Sequence, residues 1–405
     1  MKIGVMSMAS RMLSGRREDT KSMTKLRGLA WDHRRCWGPL DASIAPWCAS
    51  RPGLEIEWDR RSLYEFGEGV IDRVLGQYDL VVFDHPFIGE IATGRLMVPF
   101  DGYLTDEQRQ VFEQDSVGKS WQSYASEGRQ WALPIDAACQ VASFRPDLMA
   151  AYGEVPRSHD DVVDLGRRAR KDGKWLGLPL VPTDAMCLLL TLGDPREEAD
   201  DFIGRDRVEQ AIGQLRELSE LSHPSSRQWN PIRCYDHMTA HDDVVYVPFA
   251  FGYVNYASRT ETPRLRFADA PTQGSTGALL GGAGIGVSAQ SGSVQEAVDY
   301  ALFLCSPDNQ RGEYVSAGGQ PGSLSAWQDK AVNAATGDFF ADTLKTIQSS
   351  YLRPTHAGFI TFFRETAPRV EAAIAGELPV AELAAWVNRR YRETRPSTKS
   401  VRSVA

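Results

Sequence analysis

At 405 residues the chain is too long for one ordinary hydrophobic core, so two or three folded units are expected. Hydrophobic residues at 42% and charged residues at 24% give a globular balance. The net charge of -8 argues against general nucleic-acid or anionic-membrane binding, and no apolar run approaches the roughly 20 residues that span a bilayer, so no membrane insertion is expected.

Residues 1–24 read as a flexible arm. A weak apolar stretch, Ile3 to Ser10, is followed at once by Arg11, Arg16, Arg17, Glu18, Asp19 and Lys21. That is a poor export signal, because the apolar region is short and a charge cluster stands where cleavage would occur. Cys36, Cys48, Cys139, Cys187, Cys234 and Cys305 are scattered, with no CxxC. They read as buried reduced thiols, which suits a reducing compartment, although the even count leaves a disulfide set open. With Met1 as the native start, a cytoplasmic location is expected.

The periodicity then predicts alternating strands and helices. Residues 25–33 form a strand, 39–47 a helix, 54–58 a strand, 63–75 a helix with Val70 on its apolar face, and 78–83 a buried strand. Alternation of this kind predicts an open parallel α/β sheet, which binds ligands at the carboxyl ends of its strands. Trp31-Asp32-His33 and Asp84-His85-Pro86 fall at such ends.

Gln130 to Met149 reads QWALPIDAACQVASFRPDLM. Ile135 to Phe144 is a buried strand, and Arg145-Pro-Asp147 opens a helix. This strand is where the chain is expected to cross between lobes. It carries Asp136 and Gln140, polar groups that cost about 2–7 kcal/mol each if buried without partners. Further on, the pattern predicts helices at 159–174, 184–192 and 205–221, with strands at 178–181 and 244–249. Phe251-Gly-Tyr253-Val-Asn255-Tyr256 forms an aromatic and amide cluster. Gly274 to Gly286 reads as a glycine-rich approach to a second crossing strand at 285–288, and not as a nucleotide fingerprint, since its spacing is wrong. Gly318-Gly-Gln320-Pro-Gly322 is a turn whose amides could face a ligand. Helices follow at 338–350, 364–376 and 379–392, and 396–405 reads as a disordered tail.

Several stretches together are similar to the family 1 extracellular solute-binding proteins, the sugar-binding subunits of ABC importers. They are LAWDH with Gly38-Pro-Leu40, YDLVVFDHPFIG from Tyr78, WALPIDAA…RPDL from Trp131, and the Gly281–Ser288 and Ser306–Gly322 segments. The resemblance implies a two-lobed, periplasmic-binding-protein-like α/β fold (type II). Residues 25–134 with 281–325 would form lobe 1, and 140–278 with 326–395 lobe 2. It further implies a small-molecule ligand, an ABC permease as docking partner and an extracytoplasmic location. A sugar-like or carboxylated solute is expected between the lobes.

On this pattern the cleft is lined by Trp31, Asp32, His85, Asp136, Phe251, Tyr253, Asn255, Gln320 and Arg353. Trp31 is the stacking platform, the acids and amides orient hydroxyls, and Arg353 clamps an anion or makes an interdomain ion pair. A second reading is a cytoplasmic enzyme on the same scaffold, with Asp32, His33, His85 and Asp136 moving protons. His237 and His241, spaced i and i+4 beside Asp242 and Asp243, could make a metal site, but with no HExxH pattern they read better as a solvated loop or helix end. No metal or cofactor is assigned.

Overall fold

The computed structural model describes residues 23–69, 71–258, 263–272 and 277–396. Most of the expected N-terminal arm, Val70, Gly274 and nearly all of the expected C-terminal tail lie outside the described residues. Among the described residues no helix is long and apolar enough to cross a membrane.

Eight strands carry the molecule: β1 (Thr24–Trp31), β2 (Leu54–Arg61), β3 (Leu80–Phe83), β4 (Leu133–Phe144), β5 (Trp175–Leu176), β6 (Val244–Phe251), β7 (Arg266–Ala268) and β8 (Leu280–Val287). The larger helices are α1 (Arg34–Ala49), α2 (Leu63–Glu68), α3 (His159–Lys171), α4 (Pro182–Leu192), α5 (Arg205–Leu221), α6 (Pro231–Ala240), α7 (Val294–Cys305), α8 (Phe339–Gln348), α9 (Phe359–Ile374) and α10 (Val380–Thr394). The strands run in the order β2-β1-β3-β8-β4-β6-β5, with β7 also on β4.

The 12-residue β4 joins two half-sheets. Its first half, Leu133 to Cys139, pairs antiparallel with β8, and its second half, Gln140 to Phe144, pairs with β6 and β7. The parallel trio β2-β1-β3 extends one side. The parallel pair β5-β6 ends the other. β4 and β3 are buried on both faces, which is why they read as continuous apolar runs.

Separate cores follow this division. One gathers Leu26, Ile56, Leu80, Leu133, Ile285 and Tyr300. Another gathers Ala142, Leu165, Leu189, Val245, Phe362 and Leu383. A third, with Val117, Ala137, Trp327 and Phe339, lies beside the crossing strands. This is the mixed α/β, two-lobed fold expected from the sequence.

Several local expectations change. The first helix begins at Arg34, not Pro39, and carries Pro39 and Pro46 inside it. His33 caps it by accepting from the Arg35 N–H. The expected 63–75 helix is two shorter pieces, the first opened by a capping box of Ser62 and Glu65. The strand expected at 178–181 lies earlier, at β5, because the Leu180 N–H is drawn to the Ser226 and Trp229 carbonyls. The glycine run is itself the second crossing strand: β8 contains Gly281, Gly282, Gly284 and Gly286.

Glycine is required there by close packing. A Cβ on Gly282 would sit 2.4 Å from the Asp136 carbonyl oxygen, and its φ is +126°. A Cβ on Gly281 would meet the Phe251 ring at 2.5 Å. Gly282→Ala is therefore expected to lower unfolding free energy by about 1–3 kcal/mol from backbone strain alone, and more from the clash. Urea unfolding checks this; an unchanged midpoint would show that β8 tolerates a side chain at the crossing.

Candidate functional site

The site is built where β1, β3 and β6 end and the crossing strands pass. Arg35, in the first turn of α1, reaches β4. Its Nε donates to Asp136 Oδ2 at 2.7 Å and its Nη2 to Asp136 Oδ1 at 2.5 Å. Its Nη1 donates to the Gly252 carbonyl at 2.9 Å, just beyond β6. Arg35 is 4% exposed and Asp136 1%. Burial opposes the guanidinium charge, but Asp136 outweighs it and holds the arginine above its ordinary pKa. Stacking adds to this, with the guanidinium 4.5 Å from the Tyr253 ring centroid.

A second buried pair lies nearby. Arg353, in the loop between α8 and α9, donates through Nη2 to Asp84 Oδ1 at 2.9 Å. Its Nε donates to His85 Nε2 at 3.0 Å. His85 is fully buried, and burial first, then Arg353, pushes it well below the usual histidine range. It is a neutral acceptor.

Between these pairs lies a cavity of about 220 Å³. From the β1–β3 side Trp31, Tyr64, Phe66 and Asp84 line it; from the β6 side, Asp184, Asn230, Phe251 and Tyr253. Arg35, Arg353, Gly281 and Gly282 complete it. Trp31 packs on Phe66 with ring centroids 4.6 Å apart, and its indole N–H has no partner among the described residues. Tyr64 stands at the mouth with 69% of its surface exposed. Aromatic walls with a few convergent polar groups between two lobes are the features of a small-molecule site.

A sequence model for bacterial extracellular solute-binding proteins matches residues 72–341. The chain belongs to that family. Solved relatives share the fold at low identity. A Thermotoga maritima protein, MalE3 bound to maltose, aligns with a TM-score of 0.77 at 17% identity over 91% of this chain and 99% of that one. The GacH receptor of Streptomyces glaucescens, solved with acarbose, gives 0.77 and 15% over 92% and 98%. An Agrobacterium vitis solute-binding protein with bound D-mannitol gives 0.74 and 14% over 91% and 98%. No curated protein sequence matches the chain.

In this solute-binding fold the residues expected at the cleft divide into two groups. Trp31, Phe251, Tyr253 and Arg353 line it. Asp136 lies beneath it, occupied by Arg35. His85 lies behind Arg353. Gln320 is buried with its amide spent on the backbone, donating to the Ala137 carbonyl at 2.8 Å and accepting from Val254 N–H at 3.1 Å. Asn255 lines a different cavity, with Arg34 and Arg311, and donates to the Gly318 carbonyl. Asp32 is exposed, off the cleft. The Gly318, Gly319 and Gly322 amides bond within the protein, Gly322 N–H to Gln310 Oε1 at 2.7 Å. The proton-transfer set Asp32, His33, His85 and Asp136 is thus not assembled around one cavity. His33 is a helix cap pushed down to about 4, first by burial and then by Arg35.

Arg35, Tyr64 and Asp184 were not singled out by sequence reasoning, and Asp84 only as a member of the Asp84-His85-Pro86 cluster at a strand end. Moving the helix start to Arg34 would have exposed Arg35 as a first-turn residue facing Asp136. None of the six cysteines is in a disulfide among the described residues, and five of them are buried.

Removing one member of the buried pair leaves the other charge unpaired. Arg35→Ala is expected to cost about 3–5 kcal/mol of stability, read from chemical denaturation, and Asp136→Asn no less, because it leaves the buried Arg35 guanidinium without its carboxylate and an arginine, unlike a carboxylate, cannot lose its charge to relieve that. The His33 pKa gives a pH prediction. Its folded value, about 4, lies below the ordinary histidine value of 6.5, so the unfolded chain binds the proton first. Its contribution is complete above pH 6.5 and is lost as pH falls toward 4. His33→Asn keeps a capping side chain and removes this titration, so the stability difference between wild type and variant should change by on the order of 3 kcal/mol across that window. A difference that stays flat with pH would reject this account.

Proposed function

We propose that the protein captures a small neutral polyhydroxylated solute, a sugar or polyol, in the cleft and presents it to an ABC importer. The observation that carries this is the pre-pairing of charge. Arg35 is held by Asp136 and Arg353 by Asp84, so the cleft offers aromatic faces and spare N–H groups without an unneutralised cation. A carboxylated solute would have to compete with a buried carboxylate for either arginine, which argues against that half of the sequence expectation. Hydroxyl groups need hydrogen bonds and no counter-charge, and sugar rings present apolar faces that pack on indole and phenol rings. The maltose, acarbose and mannitol bound by the solved relatives are of this class.

In this reading residues 25–134 with 281–325 make one lobe, and 140–278 with 326–395 the other. Trp31, Tyr64, Phe251 and Tyr253 supply contact area, and Arg35, Arg353, Asp84, Asp184 and Asn230 supply orientation. Movement is a hinge about β4 and β8, where the chain crosses. Importer docking supplies the partner.

Isothermal calorimetry against a panel of neutral sugars, polyols and their carboxylated analogues tests the proposal. At least one neutral member should bind, its acid analogue should bind at least tenfold more weakly, and Tyr64→Ala should weaken binding about tenfold while leaving the melting temperature unchanged, since Tyr64 is exposed. Preference for the acids, or turnover of the bound solute, would sink it.

A further inference from the structure

At the far end of the β6 half-sheet lies a cluster that the solute cleft does not use. His223 precedes a short 3-10 turn, His237 lies in the last turn of α6, and Asp243 immediately precedes β6. His237 Nε2 is 2.8 Å from Asp243 Oδ1, and His223 Nε2 is 3.5 Å from Asp243 Oδ2. One ligating atom from each residue falls within 4.8 Å of the others. His241, the C-cap of α6, places its ring 4.4 Å from that of His237.

We propose that His223, His237 and Asp243 bind a divalent transition-metal cation of the zinc type, with His241 or water in the fourth position. Tetrahedral zinc with ligands at about 2.0–2.1 Å has ligand–ligand separations of about 3.3 Å. The two separations to Asp243 already bracket that value. Two imidazoles and a carboxylate suit zinc and its neighbours in the transition series, and not calcium or magnesium, which want oxygen ligands. The half-buried positions keep the site reachable. The three ligands come from three separate segments, so the cation would tie the loop at 223 and the end of α6 to the start of β6. Nearby cations are turned elsewhere. Lys174 donates to the Asp242 carbonyl, Arg145 to the His241 carbonyl and Asp242 carboxylate, and Arg170 lies over the Trp175 ring.

Loading changes one hydrogen bond. Ser225 N–H donates to His223 Nδ1 at 3.1 Å, which places the neutral ring's proton on Nε2. A metal at Nε2 needs that proton on Nδ1, so the Ser225 amide is released on binding. The site is separate from the solute cleft but not remote from it: Trp229 stacks on His223 with ring centroids 4.8 Å apart, and its chain neighbour Asn230 lines the cleft.

The test uses untagged, chelator-treated full-length protein titrated with Zn²⁺ by calorimetry. One saturable site per chain is expected. His223→Gln and His237→Gln should each weaken it at least tenfold, whereas His159→Gln, whose ring contacts Glu217 elsewhere, should not. Wild-type protein alone supplies a second readout that needs no variant. X-ray absorption of the bound zinc should show at least two imidazoles among nitrogen and oxygen ligands at about 2.0–2.1 Å, and the Ser225 amide should exchange faster with zinc than without. Absence of saturable binding, binding that survives both histidine substitutions, or a spectrum without imidazole would overturn the proposal. Tyr64→Ala should leave zinc binding intact, so failure here and failure of the solute reading are distinguishable.

Discussion

The Arg35–Asp136 pair is the constraint around which the interlobe region is arranged. Two opposite charges in a place with almost no water interact strongly, but each also loses its hydration, so the pair survives only with near-ideal geometry and every polar atom engaged. Here the carboxylate takes two guanidinium donors and a third goes to the Gly252 carbonyl. That single side chain therefore connects the first helix, the first crossing strand and the end of β6. Asp136 fixes where β4 must lie, and its own carbonyl then leaves no room for a side chain at Gly282 on β8.

The cleft inherits its character from this arrangement. Because its arginines are already neutralised from within the protein, the space between the lobes is polar without being strongly charged. Aromatic rings occupy what remains of its walls. The same pairing removes the groups that proton-transfer chemistry would need: Asp136 is a counter-ion, His85 a neutral acceptor and His33 a helix cap. A scaffold that spends its ionisable groups on holding two walls in register is suited to capture and release of a solute, and the family assignment agrees with that.

The β6 side of the molecule has a second organised end. α6 starts at the cleft with Asn230 and Pro231 and finishes at the histidine cluster, while β6 starts at that cluster and finishes at the cleft. The two elements run between the same two places in opposite directions. A cation at the cluster would anchor both without touching the solute.

Much of the architecture was legible in the amino-acid order. The buried run at 80–83, the long apolar strand bearing Asp136 and the amphipathic helices at 159–171 and 205–221 follow from periodicity and capping signals, which are local, and the two-lobed fold was implied by the family resemblance of several separated motifs. The site was less legible. Pro39 resembled a helix start, and reading it so left Arg35 in a loop, although interior prolines are tolerated in α1 here. Asp136 was recognised as a polar group in need of a partner, but that partner lies 101 residues away. Asp84 and Arg353 are 269 apart, and nothing local distinguishes a carboxylate facing a solute from one facing an arginine. His223 likewise meets His237 and Asp243 only when a loop, a helix end and a strand start converge. Sequence by itself determined which segments are strands and helices and that a polar residue sits at the crossing, because those depend on neighbours along the chain. Only the tertiary structure decided which charges cancel and which side chains are left for a ligand, because pairing depends on distance in space.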